Sequence, residues 1–277
     1  GARYRCCVWS TCGKKLMKKA IQYIRKHSNI NPKIGIVLGS GLDMFCDKLK
    51  DKTHISYNDI PGFRKTSIKG HKGEFVIGNI HSHSIICANG RFHYYEGHEY
   101  SDVAIIIDLF KEIGCTHVIM TNSSGCVEGS WEVGDLMLIN GHLDYSFMSS
   151  SENPKVVQDD RYDLDLLNQI EKLAKLNNIT LRKGIYTWTT GPTYETPSEI
   201  LDIKKIGGHA VGMSGLPEIE RIHELKMKMI GLCCLTNYAS GISKSELTHD
   251  EVVDTAKTYQ QNFLKLLDTI IENLLFN

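Results

Sequence analysis

The chain has 277 residues, enough to bury a full hydrophobic core, and its 32 Lys and Arg balance 32 Asp and Glu for a formal net charge of zero. A neutral chain raises no field to gather nucleic acid or an anionic membrane, and no apolar run approaches the roughly 18 residues of a membrane span, so the ligand is read as small. The nine cysteines include no Cys-x-x-Cys pair and several lie in apolar runs, which reads as a reducing, cytoplasmic setting without disulfides; His81-x-His83 and Cys115-x-His117 lack further zinc ligands, so no metal is called for.

Gly1 to Thr11 carries Arg3 and Arg5 but no apolar stretch of a secretory signal. Residues 1–12 are read as a flexible extension and 13–277 as one catalytic domain with no dividing linker. Lys14 to His27 spaces Leu16, Met17, Ala20, Ile21 and Ile24 as an amphipathic helix. Ile34 to Leu38 is a buried strand that empties into Gly39-Ser40-Gly41. Glu74 to Ile80 and Ser84 to Ala88 are two strands joined by a turn at His81-Ser82-His83, so part of the sheet is antiparallel. Val103 to Ile113 is apolar nearly all round and stops at Gly114, as a buried helix does.

A strand at 117–120 runs into Thr121-Asn122-Ser123-Ser124-Gly125, and Asp135 to Ile139 is another strand. Ser146 to Arg161 is polar and irregular, a length at which loops serve as lids or subunit contacts. Leu164 to Leu176 is a helix and Gly184 to Thr189 a strand. Thr196-Pro197-Ser198-Glu199 combines a Thr N-cap, Pro at the first helical position and Glu at the third, which holds Glu195 just outside a helix start. Ala210 to Met213 leads into Ser214-Gly215, and Leu232 to Leu235 into Thr236-Asn237. Thr248-His249-Asp250-Glu251 repeats the capping pattern before a last helix with Val252, Val253, Ala256, Phe263, Leu267, Ile270 and Leu274 on one side.

Apolar runs that empty into Gly, Ser, Thr or Asn are the grammar of an α/β sheet whose ligand sits beyond the strand ends, where backbone N–H groups favour an anion. Arg91-Phe92-His93-Tyr94-Tyr95-Glu96-Gly97 reads either as a surface loop or as a site where Arg takes phosphate and His and Tyr take a hydroxylated ligand. Gly39-Ser40-Gly41 matches neither a P-loop nor a dinucleotide fingerprint, so a plain strand-to-helix turn and a phosphate turn both fit; Ser123 and Ser214 share that ambiguity. His71, between Gly70 and Gly73, reads as exposed, and Met213, Tyr95 and Tyr194 as packing residues. Asn237 differs, because an amide at the end of a buried strand must find partners. With Glu195 it offers a donor and an acceptor to one planar heterocycle.

Leu38-Gly39-Ser40-Gly41-Leu42, Gly70-His71, Gly90-Arg91-Phe92-His93-x-Tyr95-Glu96-Gly97, Thr121-Asn122, Gly191-Pro192-Thr193-Tyr194-Glu195-Thr196, Val211-Gly212-Met213-Ser214 and Thr236-Asn237, in that order, resemble the trimeric class of purine nucleoside phosphorylases. The resemblance runs from about residue 14 to the C-terminus. It implies a single α/β domain with a twisted, partly closed mixed sheet flanked by helices, and a homotrimer with sites near subunit contacts. It further implies that Ser40, His71, Arg91, Ser123 and Ser214 hold phosphate, while His93, Tyr95 and Met213 meet the ribose. Glu195 and Asn237 would grip the purine, Tyr194 would pack on it, and His249 would reach the 5′-hydroxyl. Asn237, Glu195 and His93 are then the catalytic residues, phosphate is a co-substrate, and no organic cofactor is needed.

The chain departs from that pattern where Thr-Asn-Ala-Ala-Gly-Gly is usual and Thr121 to Cys126 stands, and where Phe is common and Tyr194 stands. Around Asn153-Pro154-Lys155-Val156 there is no aromatic to offer a neighbouring subunit. A methylthioadenosine phosphorylase would carry an acidic residue at Asn237, a nucleosidase would have no use for the phosphate set, and neither would a nucleoside-binding protein without turnover. The reading is phosphorolysis of 6-oxopurine nucleosides.

Overall fold

The computed structural model of the protein describes residues 11–64, 72–148, 154–242 and 249–273. They form two compact units, one of Gly1–Met120 with Pro217–Met229 and one of Thr121–Leu216 with Ile230–Asn277.

In the first unit, α1 (Thr11–His27) starts three residues before the predicted helix, buries Met17, Ala20 and Ile24, and ends on Arg25, Lys26 and His27, where basic charge suits the helix dipole. Then come β1 (Ile34–Leu38), β2 (Lys50–Ser56), β3 (Glu74–Ile80), β4 (His83–Asn89), α2 (Tyr100–Val103), α3 (Ile105–Ile113) and the start of β5 (His117–Cys126). The strand order is β2-β3-β4-β1-β5. The β2–β3 and β3–β4 pairs are antiparallel, and β4–β1 and β1–β5 are parallel. The predicted hairpin is therefore present. The predicted helix at 103–113 divides at Ala104, whose backbone (φ −89, ψ 6) closes α2 and opens α3. Gly35 belongs to the contact of α3 with β1: a Cβ there would lie 2.1 Å from the Phe110 ring.

The second unit holds the rest of β5, then β6 (Leu136–Asp144), β7 (Val156–Val157), α4 (Leu164–Leu176), β8 (Leu181–Trp188), α5 (Pro197–Ile206) and β9 (Ala210–Gly212). After α6 (Leu216–Glu224), most of which belongs to the first unit, it resumes with β10 (Lys228–Tyr238) and α7 (His249–Asn273). Strands run in the order β10-β6-β8-β9-β5, and β10 also pairs with β5. Ala239 N–H donates to the Cys126 carbonyl at 2.8 Å where that ring of pairings ends. The β6–β8 and β8–β9 pairs are parallel; β9–β5 and β10–β6 are antiparallel. The chain thus has the mixed, partly closed sheet with flanking helices that the resemblance implies.

Strands β5 and β10 run further than their apolar content predicts. β5 continues from Met120 through Thr121 to Cys126, pairing Gly125 with Val211 and Cys126 with Ala210; β10 continues through Thr236 and Asn237 to Tyr238. These polar residues are strand, not post-strand loop, because their backbone groups have strand partners even where their side chains are polar. The predicted irregular segment contains β7, which pairs with His142 and Leu143 of β6.

Candidate active site

In the first unit the pairing register assembles the site residues. Leu38 pairs with Asn89 on parallel strands, so Ser40 and Arg91, each two residues further on, leave the same end of strands about 4.8 Å apart. Gly41 (φ 78) and Gly90 (φ 124) take left-handed backbone as the strands turn out. The Tyr57 hydroxyl donates to the Gly90 carbonyl at 2.8 Å, and Phe92 is buried against Tyr57 and Phe63. The loop is thereby anchored from both sides.

Arg91 is 2% exposed. Its Nε donates to Glu218 Oε1 at 3.0 Å, and the Glu218 side chain is 1% exposed. One edge of the guanidinium fork thus faces a fixed carboxylate, which orients the terminal nitrogens. His93 follows two residues later. Its backbone N–H donates to Glu96 Oε1 at 2.8 Å, its Nδ1 lies 3.4 Å from the same oxygen, and its ring stacks on Tyr95 with centroids 4.9 Å apart. The Arg91–Gly97 stretch is a built loop rather than a chance polar run.

In the second unit, Asn237 Nδ2 donates to the Tyr238 carbonyl at 3.0 Å, and its Oδ1 accepts from the Thr236 hydroxyl at 2.9 Å. An amide nitrogen carries two hydrogens, so this geometry leaves one donor. Gly125 lies beside that amide: a Cβ there would be 3.4 Å from Nδ2 and 3.3 Å from Val211. Ser123, two residues earlier in β5, shares Gly125's face of the strand. After Gly212, Met213 is half-buried and Ser214 buried. The buried Tyr186 hydroxyl donates to the Ser214 carbonyl, and a Cβ on Gly212 would come within 2.7 Å of that hydroxyl.

The predicted cap at the start of α5 is present in full. Thr196 N–H donates to Glu199 Oε2 at 2.7 Å, and Glu199 N–H donates to Thr196 Oγ1 at 3.3 Å. Glu195, just outside that helix, accepts from Thr189 Oγ1 at 2.7 Å, and Thr189 N–H donates to the Gly212 carbonyl at 3.0 Å. Asn237, Gly125, Val211, Gly212, Thr189 and Glu195 thus form one connected path. Burial raises the Glu195 carboxyl from its ordinary value, opposed by the Thr189 hydroxyl and Glu195's own backbone N–H, with Glu199 adding to the rise. Tyr194 beside it is 44% exposed.

His71 lies outside the described residues. His249 opens α7 as predicted, but its side chain is outside them too. Sequence reasoning passes over Glu218, Thr189 and Tyr186. No element is predicted around Glu218, and Thr189 and Tyr186 read as ordinary strand residues. Among the described residues no group of three or more His, Cys, Asp or Glu could hold a metal ion, and no helix is long and apolar enough to cross a membrane.

Comparison with known proteins places the chain in a family. A family model described as the phosphorylase superfamily matches residues 33–272. Purine nucleoside phosphorylase 1 of Bacillus subtilis (strain 168) is 35% identical over 266 residues, 93% of this chain and 98% of the relative. The Geobacillus stearothermophilus protein of the same name is 34% identical over 273 residues, 94% of this chain and 98% of the relative. A crystal structure of the Schistosoma mansoni purine nucleoside phosphorylase in complex with inosine superposes with a TM-score of 0.85 at 28% identity, over 95% of this chain and 98% of that one. The chain belongs to the phosphorylase superfamily, and within it to the purine nucleoside phosphorylases.

Proposed function

We propose that the protein catalyses the reversible phosphorolysis of 6-oxopurine ribo- and deoxyribonucleosides such as inosine and guanosine, releasing the base and (deoxy)ribose 1-phosphate for purine salvage. The register of Leu38 with Asn89 carries this reading, because it sets Ser40 and a buried, Glu218-oriented Arg91 at one end of paired strands. That is a cradle for phosphate, and neither a hydrolase nor a simple nucleoside receptor needs one. Ser40 and Arg91, with His71, Ser123 and Ser214, are assigned to phosphate; His93, Tyr95 and Met213 to the ribose; Tyr194 to the purine face; and His249 to the 5′-hydroxyl.

In the reaction, a phosphate oxygen forms the new bond to C1′ as the C1′–N9 bond breaks and its electrons pass to the purine. Positive charge grows on the sugar and negative charge on the base. Phosphate offsets the first, and the remaining N–H of Asn237 donates to N7 and offsets the second. Glu195 accepts from N1–H of a 6-oxopurine and orients the ring. Phosphate is itself the nucleophile, so no covalent enzyme intermediate and no metal or organic cofactor enters.

We also assign a homotrimer, supported by the resemblance to the trimeric class, and a cytoplasmic setting, supported by the six buried free cysteines among the described residues. The substrate class is tested by comparing inosine, guanosine, adenosine and methylthioadenosine at saturating phosphate. The proposal predicts the highest kcat/KM for inosine and guanosine. A preference for methylthioadenosine would overturn it.

A further inference from the structure

Glu195 is held by a neighbour to which the proposed mechanism gives no role. Thr189 follows the last residue of β8, is buried, and is fixed by its backbone N–H, which donates to the Gly212 carbonyl at 3.0 Å. From that fixed position its hydroxyl donates to Glu195 Oε1 at 2.7 Å. A carboxylate bound at one oxygen by a side chain whose own backbone is tied to β9 presents its other oxygen, Oε2, in a set direction. We infer that Thr189 is a positioning residue that aims the Glu195 carboxylate as an acceptor for N1–H, and thereby sets the preference for 6-oxo over 6-aminopurines. The inference rests on the purine-binding role of Glu195 proposed above.

The chemistry of the two base classes explains why one hydroxyl governs selectivity. Hypoxanthine and guanine carry a hydrogen on N1 and need an acceptor, which an ionised carboxylate supplies. Adenine presents a bare N1 and needs a donor, which only the protonated carboxyl supplies. Burial pushes Glu195 towards the protonated form, and Glu199 does the same; the Thr189 hydroxyl and Glu195's own backbone N–H act against them. Glu199 is the charged group among the described residues that bears on Glu195, and it is itself engaged by Thr196. Removing the Thr189 hydroxyl shifts that balance towards the adenine-compatible form.

The test is steady-state kinetics on purified full-length protein carrying Thr189→Val, Thr189→Ser or Glu195→Ala, with Thr189→Ala as a second hydroxyl-free variant should the valine not fold. Inosine and adenosine are compared from pH 5.5 to 8, and the KM for phosphate is measured alongside. Loss of a hydrogen bond to a charged group predicts that Thr189→Val lowers kcat/KM for inosine about 10-fold or more while the KM for phosphate holds. The acid limb of its inosine profile moves to higher pH, and the inosine-to-adenosine ratio narrows most at low pH. Thr189→Ser restores all three.

If Glu195→Ala is impaired on inosine while Thr189→Val keeps the wild-type acid limb and ratio, the inference fails and the Glu195 assignment stands. An equal rise in both KM values, with no rescue by serine, would show a merely structural role and overturn it as well. If Glu195→Ala keeps wild-type kcat/KM for inosine, the Glu195 assignment itself falls.

Discussion

At Asn237, Oδ1 accepts from the Thr236 hydroxyl and one of the two N–H groups donates to the Tyr238 carbonyl, which leaves one N–H. The remaining N–H is the donor we assign to the leaving purine. Asn237→Ala should therefore reduce turnover of inosine about 10²- to 10³-fold, the usual cost of one positioned donor to developing negative charge. Wild-type turnover in that variant would remove Asn237 from the mechanism. Asn237→Asp exchanges the donor for an acceptor and should move the inosine-to-adenosine ratio towards adenosine; an unaltered ratio would mean the purine lies elsewhere. Glu218 predicts a change in stability as well, because Glu218→Ala removes a buried carboxylate that pairs with the Arg91 guanidinium. The expected loss is about 3–5 kcal/mol, read from the urea midpoint, together with a raised KM for phosphate. Arg91 and Asn237 stand out in the sequence because strand ends are where an α/β fold concentrates chemistry, and Glu195 because it precedes the Thr196–Glu199 capping box. Glu218 does not, since its partner lies 127 residues away and nothing in Leu216-Pro217-Glu218 marks a buried acid.

At the scale of elements, apolar runs and caps locate most helices and strands but misplace some ends. A strand is read as finished where its apolar run gives way to Thr, Asn and Ser, yet in β5 and β10 the backbone continues to find partners past that point. β2 escapes for the opposite reason: Lys50-Asp51-Lys52-Thr53-His54 is charged and largely exposed at the edge of its sheet, a composition that discourages further pairing and hides the strand from a search for apolar alternation. β6 is predicted only to Ile139; it passes through a register shift between Ile139 and Gly141 and reaches His142. The His142 ring is buried, with Nδ1 2.6 Å from the Tyr162 hydroxyl and Nε2 3.5 Å from Arg161 Nη1. Burial, and then the Arg161 charge, push it down to about 4, with Asp159 and Asp144 opposing. In the unfolded chain a histidine titrates near 6.5, so between those values the folded state binds fewer protons and loses stability as pH falls. The His142 contribution lost by pH 5 is about 2 kcal/mol. The stability difference between wild type and His142→Gln, from urea unfolding at pH 7.5 and 5, should change by that amount. A difference independent of pH would show that the imidazole is not buried in its neutral form.

Across the whole molecule, Ser40 and Arg91, which we assign to phosphate, belong to the first unit, together with the Glu218 that pairs with Arg91. Glu195 and Asn237 belong to the second, tied to one another through Gly125, β9 and Thr189. The antiparallel hairpin, and with it a sheet that is partly antiparallel, is foreseeable from strand lengths and turn residues. The return of β10 to β5 is not, because it joins segments about a hundred residues apart that no local pattern connects. The central claim is that phosphate, not water, takes the sugar. It is tested most directly by incubating the purified protein with inosine in the presence and absence of inorganic phosphate and following hypoxanthine and ribose 1-phosphate. Hypoxanthine should be released only with phosphate, matched mole for mole by ribose 1-phosphate. Equal release without phosphate, with free ribose as the other product, would contradict it.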